Sequence, residues 1–286
     1  RPPLAIASCG NAALAAAVLA RAAERPLRVF VPTHAEGGVL ERLQVLGAEI
    51  ATCPREPGVP GDPCFLRFRE AVAGGALPAG GALPFCVQGS ENGLTIEGGE
   101  TLGYEMMTQL GQTPLDHVVI QVGGGALASS VIQAFRFAHR AGWHSQLPRF
   151  HTVQTRGAWP LKRAWDMVQE RLRAKGSVEV LAFATKHRSE FMWPWEETPR
   201  SVAHGILDDE TYDWLAIVKG MLASRGSALV VDEELLREAN ALARETTGIP
   251  VCHTGSAGLA GLMQLRRDGA VKPGERVAVI FSGVQR

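Results

Sequence analysis

The sequence predicts an α/β fold in which open, twisted, mostly parallel sheets are flanked by helices. Three observations carry this: short apolar segments alternate with amphipathic ones along the chain, several of the short segments end in Gly-containing turns that open a helix, and the pattern restarts after a polar, Gly-bearing seam near Gly89 to Glu97. A chain of 286 residues has room for one large α/β domain or two modest ones. The seam predicts a small α/β domain over residues 1–90 and a larger one over residues 91–286.

Taken in order, Leu4 to Ala7 reads as a strand, Asn11 to Glu24 as an Ala-rich helix and Leu27 to Val31 as a strand. Val39 to Leu46 reads as a helix and Ala48 to Thr52 as a strand. A Pro/Gly-rich loop, Pro54 to Pro63, precedes a helix around Phe65 to Val72. A Gly-rich connection, Gly74 to Gly81, leads to a strand near Phe85 to Val87. In the second series Thr101 to Leu110 reads as a helix and His117 to Val122 as a strongly β-branched strand. Ala126 to Ala141 and Trp159 to Ala174 read as helices on either side of the strand Phe150 to Gln154. Gly176 to Pro199 reads as irregular. Helices are expected near Asp209 to Ala223, Asp232 to Thr246 and Ser256 to Asp268, before a closing strand from Arg276 to Phe281.

Composition excludes some functions. The apolar fraction is 46% and the formal net charge is zero, so no basic face for nucleic acid is expected. No apolar run reaches the roughly 20 residues of a membrane-spanning helix. The five cysteines lie far apart, without a C-x-x-C or His/Cys cluster for zinc, which fits reduced thiols in a cytoplasmic protein. The chain starts at Arg1 and runs almost at once into a strand, so an N-terminal truncation is expected.

Three turns stand where strands end, the edge at which open α/β sheets bind ligands. Ser8-Cys9-Gly10-Asn11-Ala12 joins a strand to a helix, where free backbone N–H groups and the helix dipole favour an anion, and Ser8 and Asn11 stand at capping positions. Val122-Gly123-Gly124-Gly125-Ala126-Leu127 follows the most β-branched strand and opens a long helix. Three consecutive glycines cost backbone entropy, about 1 kcal/mol each relative to Ala in regular structure, and close approach of backbone to a phosphate is one reason to bear it. Gly123, Gly125 and Ala128 also satisfy a dinucleotide G-x-G-x-x-A pattern, but the next strand ends in Gln154-Thr155 and lacks the acid that would hold a ribose. Phe281-Ser282-Gly283 closes the last strand with a hydroxyl able to hydrogen-bond a heterocyclic nitrogen.

The order of these turns resembles the fold type II, tryptophan-synthase-β-like, pyridoxal-phosphate enzymes: threonine and serine dehydratases, serine racemase, threonine synthase and cysteine synthase. The resemblance runs from Pro3 to Gly283. It is supported by Ile96-Glu97-Gly98-Gly99-Glu100-Thr101, by Glu197-Thr198 with Ala203-His204-Gly205, and by Thr254-Gly255-Ser256-Ala257-Gly258. It implies two sheets with pyridoxal 5'-phosphate in the cleft between a small and a large domain. By resemblance, Gly123, Gly124, Gly125, Ala126 and Leu127 would cradle the cofactor phosphate, Asn11 would contact its 3'-oxygen, and Ser282 would face the pyridine nitrogen. Ser8, Cys9, Gly10 and Ala12 would grip the carboxylate of an amino-acid substrate. A homodimer is implied in the same way. The neutral hydroxyl of Ser282 leaves the ring a weaker electron sink than an aspartate would, which suits elimination and replacement better than transamination.

The chain departs from the family in several places. The Schiff-base lysine belongs ahead of the Ser-x-Gly-Asn turn, yet only seven residues precede Ser8, and Lys162, Lys175, Lys186, Lys219 and Lys272 all lie downstream. The expected catalytic lysine is therefore outside this chain, and the polypeptide as written is expected to be inactive. Cys9 replaces a Ser or Thr, and Cys252-His253 replaces Glu-Pro. His253 reads as a structural histidine or a site residue, while Trp159, Trp165 and Trp193 read as core or dimer contacts. The resemblance implies a lyase that deaminates a hydroxy amino acid such as threonine or serine. Threonine synthase or another replacement enzyme, and a non-catalytic homologue without the lysine, remain as alternatives.

Overall fold

The computed structural model describes residues 1–33, 35–56, 58–59, 61–73, 81–111 and 113–284. Most of the Gly-rich connection expected from Gly74 to Gly81, and two prolines of the loop before it, lie outside these residues. The chain divides into two compact units, residues 1–95 and residues 96 onward.

In the first unit β1 (Leu4–Ala7), α1 (Asn11–Ala22), β2 (Leu27–Pro32), α2 (Gly37–Val45), β3 (Glu49–Cys53), α3 (Pro63–Ala73) and β4 (Leu83–Pro84) follow one another. Among the described residues the strands form one parallel sheet in the order β3-β2-β1-β4. All four residues of β1 are buried, as expected of a central parallel strand covered on both faces. The buried side of α1 is Ala13, Ala16, Ala17 and Ala20, at helical spacing, so the Ala-rich stretch is a close-packing face. The expected strand at Phe85 to Val87 lies earlier, at Leu83–Pro84, where Phe85 N donates to Ala5 O before the chain turns away.

The second unit continues from α4 (Gly93–Leu110) through β5 (His117–Gln121), α5 (Ala126–Arg140), β6 (Arg149–Thr155), α6 (Pro160–Leu172), α7 (Ser177–Lys186), α8 (Trp214–Ser224), β7 (Ser227–Val231), α9 (Glu233–Thr247), α10 (His253–Arg267) and β8 (Val277–Val279). Its sheet is again parallel, in the order β7-β6-β5-β8. Alternate residues of the central strands enter two different cores. Val118, Ile120 and Phe150 pack with α5, α6 and α8, whereas Val119 and Val153 pack with α9 and α10. The sheet is thus covered on both faces, and β5 is buried along its whole length.

Three sequence readings are corrected here. Gly176 to Pro199 is irregular only in its second half, because Val180 and Ala184 bury one side of α7 against the first core. The edge strand β7 was not foreseen: its five residues, Ser-Ala-Leu-Val-Val, sit directly after a helix and before the N-cap Asp232. Helix α4 starts eight residues before Thr101, across Gly93, Gly98 and Gly99. A Cβ on Gly99 would run into the Ser130 side chain, and one on Gly103 would come within 2.5 Å of the Ala134 Cβ. These glycines let α4 approach α5 closely, which outweighs their poor helix propensity.

Candidate functional site

The turn from β5 to α5 is built around Gly123, Gly124 and Gly125. Gly125 is the N-cap of α5 with φ +106°, a conformation that L side chains rarely adopt. No side chain caps α5, and its first turn holds no acidic residue. The side of the turn where Cβ atoms would stand is filled by a neighbouring segment. A Cβ on Gly123 would strike the Asp208 carboxylate, one on Gly124 would lie 3.1 Å from the Tyr212 ring, and one on Gly125 would lie 2.9 Å from Ile217 Cδ1.

The same segment fixes the peptide planes. Thr211 Oγ1 donates to Gly123 O at 2.9 Å, and Asp213 N donates to Gly124 O at 3.2 Å. In a planar trans peptide the N–H points opposite to its C=O. The N–H groups of Gly124 and Gly125 therefore point away from Thr211 and Asp213, and the opening N–H groups of α5 have no intrahelical acceptor. The glycines serve two ends at once: the bare Cα side accepts Asp208, Tyr212 and Ile217, and the donor side is left for an anion. Composition alone suggested only the second.

The end of β8 lies beside this turn, because β8 pairs with β5. Ser282 follows β8 and is exposed. The last residue of β5, Gln121, is 3% exposed and sends its Nε2 to Ser282 Oγ at 2.5 Å, Ile280 O at 3.0 Å and Gly255 O at 3.3 Å. Gln121 was not singled out from the sequence. The available signal was an amide directly after the apolar run Val118-Val119-Ile120 and just ahead of the glycine turn.

The N-terminus of α10 completes this edge. Cys252 is its N-cap, accepting from Gly255 N through Sγ at 3.4 Å and donating its own N–H to Gly283 O at 3.1 Å. Thr254 Oγ1 accepts from Gly205 N at 3.0 Å, so two of the stretches that carried the resemblance, Ala203-His204-Gly205 and Thr254-Gly255-Ser256, are joined directly. His253 is half-buried at the start of α10, and burial followed by the Arg237 charge holds its imidazole below the ordinary histidine range.

Ser8, Cys9, Gly10, Asn11 and Ala12 form the β1–α1 turn of the first unit. The expected side-chain cap is absent: the N-cap is Gly10, and the Ser8 hydroxyl accepts Gly10 N at 3.4 Å instead. Asn11 is exposed, and Cys9 is partly so. Of the tryptophans, Trp165 belongs to the core, Trp159 meets Trp195 edge-on, and Trp193 stacks on the Arg163 guanidinium at 3.7 Å. Lys162 and Lys175 pair with Asp166 and Glu179, and Lys175, Lys186 and Lys272 are exposed. Among the described residues no group of His, Cys, Asp and Glu could hold a metal ion, and no helix is long and apolar enough to cross a membrane.

The residues of the second unit suit a ligand with an anionic end and a polar aromatic ring. Outward N–H donors at the uncapped α5 terminus match a phosphate, and the exposed hydroxyl of Ser282 at the adjoining strand end matches a ring nitrogen. The comparisons agree. The chain is 26% identical over 194 residues to threonine synthase of Methanocaldococcus jannaschii, covering 68% of this chain and 43% of that protein. It is 25% identical over 285 residues to cysteate synthase of Methanoregula boonei, covering 97% and 60%. It thus spans less than half the length of that threonine synthase. The fold matches the structure of the processed form of threonine deaminase isoform 2 from Solanum lycopersicum with a TM-score of 0.70 at 16% identity, over 99% of this chain and 70% of the other. A family model described as pyridoxal-phosphate dependent enzyme matches residues 2–283, and the chain belongs to that family, whose cofactor is pyridoxal 5'-phosphate.

Proposed function

We propose that the protein removes the β-hydroxyl of an amino acid such as threonine or serine and releases ammonia and a 2-oxo acid. When bound, pyridoxal phosphate supplies the electron sink that makes the substrate α-proton removable. The chain's own residues then have separate tasks. Gly123, Gly124, Gly125, Ala126 and Leu127 hold the phosphate through backbone N–H groups, and the hydroxyl of Ser282 donates to the ring nitrogen. Asn11 contacts the 3'-oxygen, while Ser8, Cys9, Gly10 and Ala12 take the substrate carboxylate. The lysine that receives the α-proton is assigned outside these 286 residues.

The observation that carries this reading is the side-by-side placement of an uncapped glycine turn and a neutral hydroxyl at two adjacent strand ends. A hydroxyl cannot keep a ring nitrogen protonated as a carboxylate does, so the sink stays moderate and loss of a β-substituent competes well. A second reading, replacement of the leaving group by another nucleophile, is favoured by the names of the similar curated proteins, threonine synthase and cysteate synthase.

The test is to load the full-length protein, including the segment that carries the assigned lysine, with pyridoxal phosphate and supply L-threonine, L-serine and O-phosphohomoserine in parallel. The proposal expects 2-oxo acid and ammonia from threonine or serine. Phosphate release from O-phosphohomoserine, with no oxo acid from the other two, would transfer the assignment to replacement. A protein that gains no cofactor absorbance band on loading would end both readings.

A further inference from the structure

We infer that Gln121 is a positioning residue that commits the Ser282 hydroxyl to donating its proton outward, and so selects an unprotonated ring nitrogen in the bound cofactor. The inference rests on the proposed placement of the pyridine ring against Ser282 and names the residue that sets the direction of that contact.

Gln121 Nε2 faces the main-chain oxygens of Ile280 at 3.0 Å and Gly255 at 3.3 Å. Carbonyl oxygens only accept, so the amide must present its nitrogen to them. An amide nitrogen has no lone pair to offer. The Ser282 oxygen, 2.5 Å from the same nitrogen, is therefore the acceptor in that contact. Its single proton has to point elsewhere, and among the described residues no acceptor receives it. Ser282 is exposed while Gln121 is 3% exposed, so the buried partner dictates and the exposed one delivers. A group meeting that proton must carry a lone pair, which a neutral pyridine nitrogen has and a pyridinium lacks.

Gln121 is itself tightly placed. Its nitrogen bridges the first turn of α10, the end of β8 and Ser282, and its Oε1 is buried with no hydrogen-bond partner among the described residues. Leaving a carbonyl oxygen unpaired in the interior is costly. That cost is set against the nitrogen side, where two N–H protons are shared among three acceptors, one of them the Ser282 hydroxyl.

The experiment is a double-mutant cycle read by cofactor binding rather than turnover. Dissociation constants are measured for pyridoxal phosphate and for the analogue whose ring nitrogen is replaced by carbon, in the wild type, Gln121→Met, Ser282→Ala and the double variant. The melting temperature of each unloaded protein checks its fold, and Gln121→Leu stands in if Gln121→Met fails to fold. The wild type should prefer pyridoxal phosphate by about tenfold, and both single variants should lose most of that preference. In the Ser282→Ala background, Gln121→Met should change affinity less than about twofold, because the two residues act as one unit. Equal losses from Gln121→Met in both backgrounds, or a preference that survives Gln121→Met, would overturn the inference while leaving the site intact. A preference that survives Ser282→Ala would instead overturn the placement of the ring, and the inference with it.

Discussion

His117 and His151 meet in the interior of the second sheet, with His117 Nδ1 2.9 Å from His151 Nε2 and the two rings stacked at 5.1 Å. They belong to a polar row along the leading edge of the sheet. His151 Nδ1 is 2.8 Å from Ser227 Oγ, and His117 Nε2 is 3.3 Å from the Glu275 carboxylate. The row crosses β7, β6 and β5 and ends just ahead of β8, at the edge opposite Ser282.

This row predicts acid sensitivity. Burial first, then the His117 and Arg149 charges, lower the His151 pKa from 6.5 to about 4. Between those values the unfolded chain binds a proton that the folded chain refuses. Stability is then complete above pH 6.5, declines by about 1.4 kcal/mol per pH unit below it, and levels off near pH 4. Glu275 is also held low, chiefly by accepting the Lys272 N–H, and its contribution is lost at still lower pH. Urea unfolding should give a stability about 2–3 kcal/mol lower at pH 4.5 than at pH 7.5. His151→Gln should flatten that profile; an unchanged slope in the variant would place the acid sensitivity elsewhere.

Thiol reactivity should divide the cysteines into two groups. Cys53, Cys64 and Cys86 are buried, and burial followed by the neighbouring Asp62 carboxylate pushes the Cys64 thiol well above its ordinary range. Cys9 and Cys252 are partly exposed. Brief alkylation of the native protein at pH 8, read by peptide mass spectrometry, should mark Cys9 and Cys252 and spare the other three until denaturant is added. Early labelling of Cys64 would contradict the packing of α3 on the first sheet.

The parallel architecture was legible because both sheets are buried on both faces, which writes strands as short apolar runs: Leu4 to Ala7 and His117 to Val122 were placed within a residue of β1 and β5. What was not legible depends on partners distant in sequence. Gly98 and Gly99 hold the start of the expected helix back to Thr101 until Ser130 appears against Gly99, and β7 is separated by only two residues from α8 and one from α9, so its apolar run does not stand apart from the neighbouring helices. At the candidate site the glycine turn and Ser282 announced themselves as backbone punctuation at strand ends. Gln121 did not, because its meaning lies in Gly255, Ile280 and Ser282, more than a hundred residues away.

Gly125→Ala tests the turn itself. The residue holds φ +106°, and an added Cβ would lie 2.9 Å from Ile217 Cδ1 and 3.0 Å from Thr211 Cγ2. Strained backbone and crowding act together, so a loss of about 2–4 kcal/mol is expected in denaturant unfolding. Cofactor affinity should fall as well, since Gly125 carries one of the outward N–H groups. A variant with wild-type stability would show that the turn can relax away from α8.

Gly258→Ala separates stability from ligand positioning. In a helix interior, Gly to Ala ordinarily gains about 1 kcal/mol. Here the new Cβ would stand 3.0 Å from Gln121 Oε1, 3.1 Å from Val119 O and 3.2 Å from Val279 Cγ1. Val119 O is main chain of the central strand and cannot yield, whereas Gln121 Oε1 ends a side chain and has no hydrogen bond of its own to break. The displacement should therefore pass into the Gln121 amide and, through its nitrogen, into Ser282. Helix gain and crowding should offset to within about 1 kcal/mol, leaving the melting temperature of the unloaded protein nearly unchanged. Affinity for pyridoxal phosphate should nonetheless fall several-fold, and the preference over the carbon-ring analogue should shrink with it. If the melting temperature drops while both binding quantities hold, α10 has moved as a body and Gln121 has kept its place.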